Sequence, residues 1–558
     1  MKDKSLRFFH RAELLEQNDL RSLCIRRLAT ILVQKGFTHI GQDRRRGVRV
    51  PSLQREFYKI TASTFNCIKP PQSEEVGLKN DQRAVLTLSC LPSVLAEDLL
   101  EACVALVAPK GILRYGHIAD VLASGRLVRL SLWDVETSAK DLSAIARKTC
   151  GNLQELEVDG VAVRGRRPES VLRAFHSFER LIEANVRTLK CVNIGLALND
   201  LLMLSGLRRL ENLTLNFDCA YHLNQLIIRN KNREYIWPRL RSFRYGDFFS
   251  APTKRFVCHL LQKCPLLSHV DTNIADSLQH LHANEFLAGG SQLSKRYPRI
   301  EKAVLGSFIY ATEDMGARIR GASVLSVQIA ASALIHLRDL DLYLDSHDAI
   351  LVLGEFIQLE RLRLMWVNKE EEGTFTRSLE TLLTEVGCQL KELCVHSFVN
   401  VDVHEISSLC PYLDSLGIIE CRTQYGPQVR LCSFEQLQRF RFIPPRCYPA
   451  QQASLDLLNI LYGSEGLEKF IVEFKEAEDE LTKLVDEIVK INPLSKLFMA
   501  GLYFSQASAD QAIDGLFKLI SSWKNLRYLT LGDPEILQIV KESCPNLKVR
   551  HEYLYVGL

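Results

Sequence analysis

One short spacing recurs along most of this chain and leaves few folds open to it. At residue 337 the sequence reads LRDLDLYL, with Leu337, Leu340 and Leu342 spaced L-x-x-L-x-L. Residues two apart on a strand share a face, so Leu340 and Leu342 point towards a core while Asp339, Asp341 and Tyr343 point away. The same register returns at Leu127 (LVRLSLWDV), Leu153 (LQELEVDGV), Val186 (VRTLKCVNI), Leu210, Leu240, Leu267 and Ile300. It continues beyond Leu337 at Leu359, Leu390, Leu413, Leu437, Leu467, Leu494 (LSKLFMAGL), Leu526 and, in degenerate form, Leu547. These are about sixteen units with a mean interval of about 28 residues and individual intervals from about 21 to 37.

Between the strand-like segments lie helical patterns such as ETLLTEVGCQ before Leu390 and LDLLNILYGSE before Leu467. Strand, helix and parallel strand make a right-handed β–α unit, and stacked units bury a continuous core. The spacing is that of leucine-rich repeats. Residues 126–558 are therefore expected to form an α/β leucine-rich-repeat solenoid, a horseshoe with a parallel sheet on its concave face. Cys264-Pro265, Cys410-Pro411 and Cys544-Pro545 stand just before three of the strands, where a helix has ended. These pairs resemble the cysteine-containing, ribonuclease-inhibitor-like subclass of the repeat.

Composition fits a soluble globular protein, 47% hydrophobic and 24% charged. A net charge of +4 over 558 residues is near balance, so neither nucleic acid nor an anionic membrane is expected as the main partner. The sixteen cysteines are scattered without a C-x-x-C pair, and several, such as Cys103 and Cys191, fall on apolar positions. Buried thiols in a reducing compartment are expected, rather than a disulfide framework or a zinc site. The start, MKDKSLRFFHR, lacks an apolar signal region, and no run of about 18 apolar residues occurs. A soluble protein of the cytoplasm, the nucleus or both is expected.

Three segments precede the array. Residues 1–40 contain DLRSLCIRRLATIL, in which Leu20, Leu23, Cys24, Leu28, Ile31 and Leu32 recur at helical steps behind a cap at Asn18 or Asp19. Residues 41–84 read as an irregular connector. It carries Arg44, Arg45, Arg46 and Arg49, a solvated loop or a localisation or nucleic-acid patch, and the pair Pro70-Pro71. Residues 85–125 hold a second helix, LPSVLAEDLLEACVAL, with Pro92 in its first turn and Leu91, Leu95, Leu99 and Cys103 along one stripe. Such helices can simply pack as an N-terminal cap on the array.

The ridge Leu20-x-x-x-Cys24-x-x-x-Leu28 resembles the BC box, the elongin C-binding helix of ubiquitin-ligase substrate receptors. Leu91-Pro92-x-x-Leu95-x-x-x-Leu99 looks like the cullin box that follows a BC box. In order of parts the chain is similar to Zer/Zyg-type receptors of cullin-RING ligases, over residues 1–125 and in its class of repeat. The resemblance implies that Leu20, Leu23, Cys24 and Leu28 contact the elongin B/C pair, and that Leu91, Pro92, Leu95 and Leu99 contact a cullin. Leu91-Pro92 also starts an F-box, which would imply a Skp adaptor and a cullin instead.

No phosphate-binding loop, dinucleotide fingerprint, H-E-x-x-H or nucleophile elbow occurs in the sequence. A non-enzymatic protein without metal or cofactor is expected, and binding surface is what remains. Residues third, fifth and seventh from the first leucine of a unit face outward. They nominate Trp133, Arg244, Asp341, Tyr343, Arg361, Arg363, Arg439, Arg441, Phe498 and Tyr528 as contacts for a protein target. The four arginines from Arg361 to Arg441 could form a strip for an acidic segment, or one part of a mixed-charge ladder with Glu155, Glu157, Asp159, Asp339 and Asp341. Two functions fit these features: a ligase substrate receptor, or a repeat scaffold with no ligase link.

Overall fold

The computed structural model of the protein describes residue 29 and, with gaps, residues 93–551. The BC-box-like ridge expected at Leu20, Leu23, Cys24 and Leu28, the connector 41–84, and Leu91 and Pro92 lie outside the described residues. The chain divides into two compact units, Met1–Leu267 and Ser268–Leu558. Among the described residues, no helix is long and apolar enough to cross a membrane.

In the first unit, helices Ser93–Val107 and Tyr115–Leu122 lead into five parallel strands paired in chain order. These are Arg129–Trp133, Glu155–Asp159, Cys191–Ile194, Asn212–Leu215 and Ser242–Tyr245. Helices Ala139–Lys148, Pro168–Ala184 and Ala220–Asn230 return the chain between strands, and a short 3-10 segment, Leu202–Gly206, does so once. In the second unit the same alternation runs from His269–Asn273 through Lys302–Leu305, Asp339–Leu344, Arg361–Trp366, Glu392–His396 and Ser415–Ile419. It goes on through Arg439–Ile443, Lys469–Phe474, Met499–Phe504 and Tyr528–Leu531 to Lys548–His551. From Lys302–Leu305 onward, each of these strands is parallel to the one before it. Both units are mixed α/β, and the alternation is compatible with a solenoid-like arrangement.

The sequence register explains which face is buried. Leu340 and Leu342 are fully buried, as are Leu362, Leu364, Leu393, Val395, Phe470 and Val472 at matching positions. Helix starts are set locally. Ser138, Ser323 and Asp402 each accept the backbone N–H three residues on, and Asp533 accepts those of Glu535 and Ile536.

A second recurring position, which the leucine spacing does not reveal, lies three residues before the first leucine. The N–H of Leu413 donates to the carbonyl of Cys410 at 3.2 Å, closing a tight turn ahead of the strand. The same bond joins Leu240 to Trp237, Leu267 to Cys264, Ile300 to Tyr297, Leu359 to Phe356, Leu437 to Phe434 and Leu526 to Trp523. All seven side chains at the accepting position are buried. Cys-Pro is thus one version of a general device: an apolar plug opens the turn, and proline pre-sets the next φ. Burial pushes the Cys264 and Cys410 thiols up to about 12, and those of Cys103, Cys421 and Cys432 likewise, which makes them inert fillers.

Two units are displaced by three residues from their expected register. At 186–194 the buried positions are Leu189, Val192 and Ile194, so Leu189 and not Val186 begins the repeat. At 494–502 they are Leu497, Ala500 and Leu502, in register with Leu467, Phe470 and Val472. Leu494 is instead the plug of the turn, accepting from the N–H of Leu497 at 2.9 Å.

Among the described residues the first strand has no earlier strand to pair with, and a side chain takes the place. Elsewhere two successive N–H groups at the start of a strand share one carbonyl of the preceding segment, as Gln154 and Glu155 share that of Val128. At the first strand, Val128 and Arg129 donate to Glu97 Oε1, at 3.1 and 3.3 Å. Glu97 lies on helix Ser93–Val107, whose Ala96, Leu99, Leu100 and Cys103 are buried, while Leu95 is half-buried and Val94 is exposed. Leu99, expected to meet a cullin, is only 1% exposed, its side chain taken up in the unit's own core.

Candidate protein-binding surface

The strand faces turned away from the core carry three rows of side chains, and their partners are fixed by strand register. In the first unit, Trp133 is buried and Arg244 half-buried. Between them lies a hydrogen-bonded polar ladder. The Glu157 carboxylate accepts from Arg129 Nη2 at 3.0 Å, Ser131 Oγ at 3.1 Å and Asn193 Nδ2 at 3.2 Å. Asn216 Nδ2 donates to Asp159 Oδ2 at 2.8 Å and to Asn193 Oδ1 at 3.2 Å. Gly195 leaves the space that the Asp159 carboxylate occupies, since a Cβ there would overlap it. Asn216, seventh from Leu210, stands on an outward position of the repeat, and Asn193 comes to one through the three-residue displacement of its unit; neither is among the residues expected to contact a target.

In the second unit, the row Asp339–Arg361–Glu392 runs beside the row Asp341–Arg363. Arg363 Nη1 lies 2.6 Å from Asp341 Oδ1, its Nε 3.2 Å from Glu392 Oε1, and its Nη2 3.9 Å from Asp339 Oδ1. Arg361 Nη1 is 3.3 Å from Asp339 Oδ2. Asp339, Asp341 and Glu392 are buried, and the Arg363 side chain is 14% exposed. Burial works against the Arg363 charge, but Asp341, Glu392 and Asp339 outweigh it and hold its pKa above the ordinary arginine range. The Asp341 carboxyl is pushed up by burial against the pull of Arg363 and Lys302. These residues compensate one another, so Asp341 and Arg363 brace the sheet more than they present charge to a visitor.

Further along, the character of the face changes. Arg439, Lys469, Met499 and Tyr528 are consecutive partners in one row, with Arg441 and Ile471 in the next. Arg439 contacts Asp414 at 2.6 Å with 43% of its side chain exposed. Phe498, expected on this face, precedes the strand because of the three-residue displacement. It lies at the margin, 36% exposed, with its ring centroid 6.5 Å from that of Tyr528. Tyr343 is half-buried on an outward position, as expected.

At the ends of two middle strands, Ser397 and Glu420 take left-handed φ values of 62° and 51°, in the place that Gly160 and Gly306 hold after other strands. Each non-glycine residue there costs about 1–2 kcal/mol. The turn brings Ser397 Oγ within 2.9 Å of His396 Nδ1, and Glu420 Oε2 within 3.8 Å of His396 Nε2. Burial first, and Arg441 second, push the His396 pKa down to about 4. An imidazole that weak is a poor general base near neutral pH, so the Ser397–His396–Glu420 set holds the strand ends. A similar pin lies nearby, where the fully buried Asp456 carboxylate accepts from Thr423, from Tyr448 at 3.0 Å and from Gln452 at 3.1 Å.

Among the described residues, no group of three or more His, Cys, Asp or Glu side chains is placed to hold a metal ion. No protein-family model matches the chain, and a search of the curated proteins finds no match.

Proposed function

We propose that the protein is a non-catalytic recognition subunit: a ribonuclease-inhibitor-like leucine-rich-repeat solenoid whose outward strand rows bind a protein target. The observation that carries this reading is the strict recurrence of one register over parallel strands, which sets outward polar and aromatic side chains in continuous rows. Repeat arrays of this kind offer an extended surface rather than an enclosed pocket. Placed behind a BC-box-like and a cullin-box-like helix, such a surface fits the substrate receptor of a cullin-RING ubiquitin ligase. In that role Leu20, Leu23, Cys24 and Leu28 dock elongin C of the elongin B/C pair, and the 91–99 segment meets a cullin. The subunit performs no bond chemistry and holds a target lysine near the charged conjugating enzyme, a proximity effect.

The test is co-purification of the full chain with elongins B and C, and with a Skp adaptor in parallel. Stable capture of elongin B/C, abolished by Leu20→Ala with Cys24→Phe while the circular-dichroism melt is unchanged, is the expected result. Capture of the Skp adaptor would move the protein to the F-box class. Capture of neither would leave a ligase-independent binding scaffold. One observation favours that second reading: helix Ser93–Val107 lends Glu97 and Leu99 to the first strand and core, as a cap would.

A further inference from the structure

We propose, resting on the recognition reading above, that the outward face from strand Arg439–Ile443 to strand Tyr528–Leu531 binds an extended polypeptide segment that carries acidic residues beside an aromatic or aliphatic one. Two observations lead there. The first is a break in charge balance along the second unit. Asp339, Asp341 and Glu392 offset Arg361 and Arg363 within hydrogen-bonding or ion-pair distance. On the later strands the outward positions hold Arg439, Arg441 and Lys469, and among the described residues Glu473 is the one acid on those positions. The excess of cations there is a property of the whole row, whichever neighbour each cation leans on.

The second observation is the order along the row. Register places Arg439, Lys469, Met499 and Tyr528 side by side on four consecutive strands. Neighbouring strands lie about 4.8 Å apart, so the row spans about 14 Å, the reach of about four residues of extended chain. The cations occupy one end and the apolar and aromatic groups the other. A segment lying across the strands would meet Lys469 with a carboxylate and Tyr528 with an apolar side chain about three residues away. Cations beside half-buried tyrosine and methionine suit such a mixed segment. Three cations with apolar neighbours are too few to give a nucleic acid more than weak, salt-sensitive binding.

The full-chain protein would be panned against a displayed library of random peptides, with Arg439→Glu/Lys469→Glu and Arg361→Glu panned in parallel. The expected result is enrichment of sequences with Asp or Glu about three residues from Phe, Tyr, Leu or Met. The double reversal should weaken a selected peptide by more than tenfold in fluorescence anisotropy, and Arg361→Glu by less than threefold. Enrichment without acidic residues, no enrichment, or affinity that survives the double reversal would overturn the proposal. So would polyuridylate that binds more tightly than the peptide and loses affinity on the same reversal. Adaptor capture measured on the same variants separates the two readings. Peptide binding without any adaptor removes the ligase role and leaves the surface, and adaptor capture without peptide selection does the opposite.

Discussion

The outward face of the second unit contains two stretches built on the same backbone plan and used differently. Around strands Asp339–Leu344, Arg361–Trp366 and Glu392–His396, buried carboxylates are held against Arg363, which is 14% exposed, with Arg361 exposed beside them. Around strands Arg439–Ile443 and Lys469–Phe474, the outward charges are mainly of one sign and half-buried. The contrast shows that charge on a repeat face is not one kind of feature. In the first stretch it is internal structure, and removing a partner strands the others. In the second, cations are in numerical surplus over acids on the outward positions, and removing one is expected to cost the fold little.

The strongest way to break this contrast is Arg363→Ala. It would leave Asp341 and Glu392 buried without their nearest cation, while Asp339 keeps Arg361 at 3.3 Å, and the expected loss is about 3–5 kcal/mol in a denaturant titration. A loss under about 1 kcal/mol would place Arg363 with the surplus group.

The next effect concerns pH. Burial depresses the His396 pKa from 6.5 to about 4, so its contribution is complete above pH 6.5 and is lost as pH falls from there towards 4. The wild type should lose up to about 3 kcal/mol over that window relative to His396→Gln. His117 and His259 are also lowered by burial and titrate in the same direction, so the difference between the two proteins is the quantity to read. Parallel pH profiles would show that His396 belongs with the surplus groups.

Glu97 tests whether a helix side chain can count as internal structure. Glu97→Ala leaves two strand N–H groups without their acceptor, at a cost of about 1–3 kcal/mol. Glu97→Gln keeps the acceptor oxygen. Because burial raises the Glu97 pKa, ionisation is disfavoured in the folded state, and the amide should be at least as stable as wild type at neutral pH. An amide as damaging as alanine would mean that charge, not the acceptor, is what the first strand needs. The smallest effect is expected for Arg439→Ala, under about 1 kcal/mol, since its pair with Asp414 is partly exposed. A much larger loss would erase the distinction between the two stretches.

The strand positions were legible in the sequence because L-x-x-L-x-L sets a period of two that survives nearly every substitution. The register failed at two places for an identifiable reason. Val186-x-x-Leu189-x-Cys191 and Leu494-x-x-Leu497-x-Met499 satisfy the same apolar spacing, and the buried residue that decides the second case, Ala500, is small. The turn bond from Leu497 to Leu494 and the pairing of Ala500 with Phe470 separate the plug from the first leucine. The outward positions were legible too, except in the two displaced units, where Phe498 and the positions counted from Val186 were misplaced. Their energetic roles were not, because Asp341, Arg363 and Glu392 come from three different strands, and spacing along the chain does not say which charges meet. Glu97 was silent for the same reason, since its partners at Val128 and Arg129 are brought to it by the fold.

The turn that opens these strands has a consequence for how the molecule tolerates change. Turn and strand form a fixed frame: the plug, the bond to the first leucine, then alternating inward and outward residues. Deleting one residue inside that frame would send every outward side chain of the strand into the core. The return path outside it is set by no such count. The step from Ile300 to Leu337 is far longer than that from Leu337 to Leu359, yet each ends in the same turn. Doubling a flexible return loop costs only about 0.6 kcal/mol. Foreign sequence such as an epitope tag therefore belongs on the return side, where the protein has already absorbed length without changing its frame.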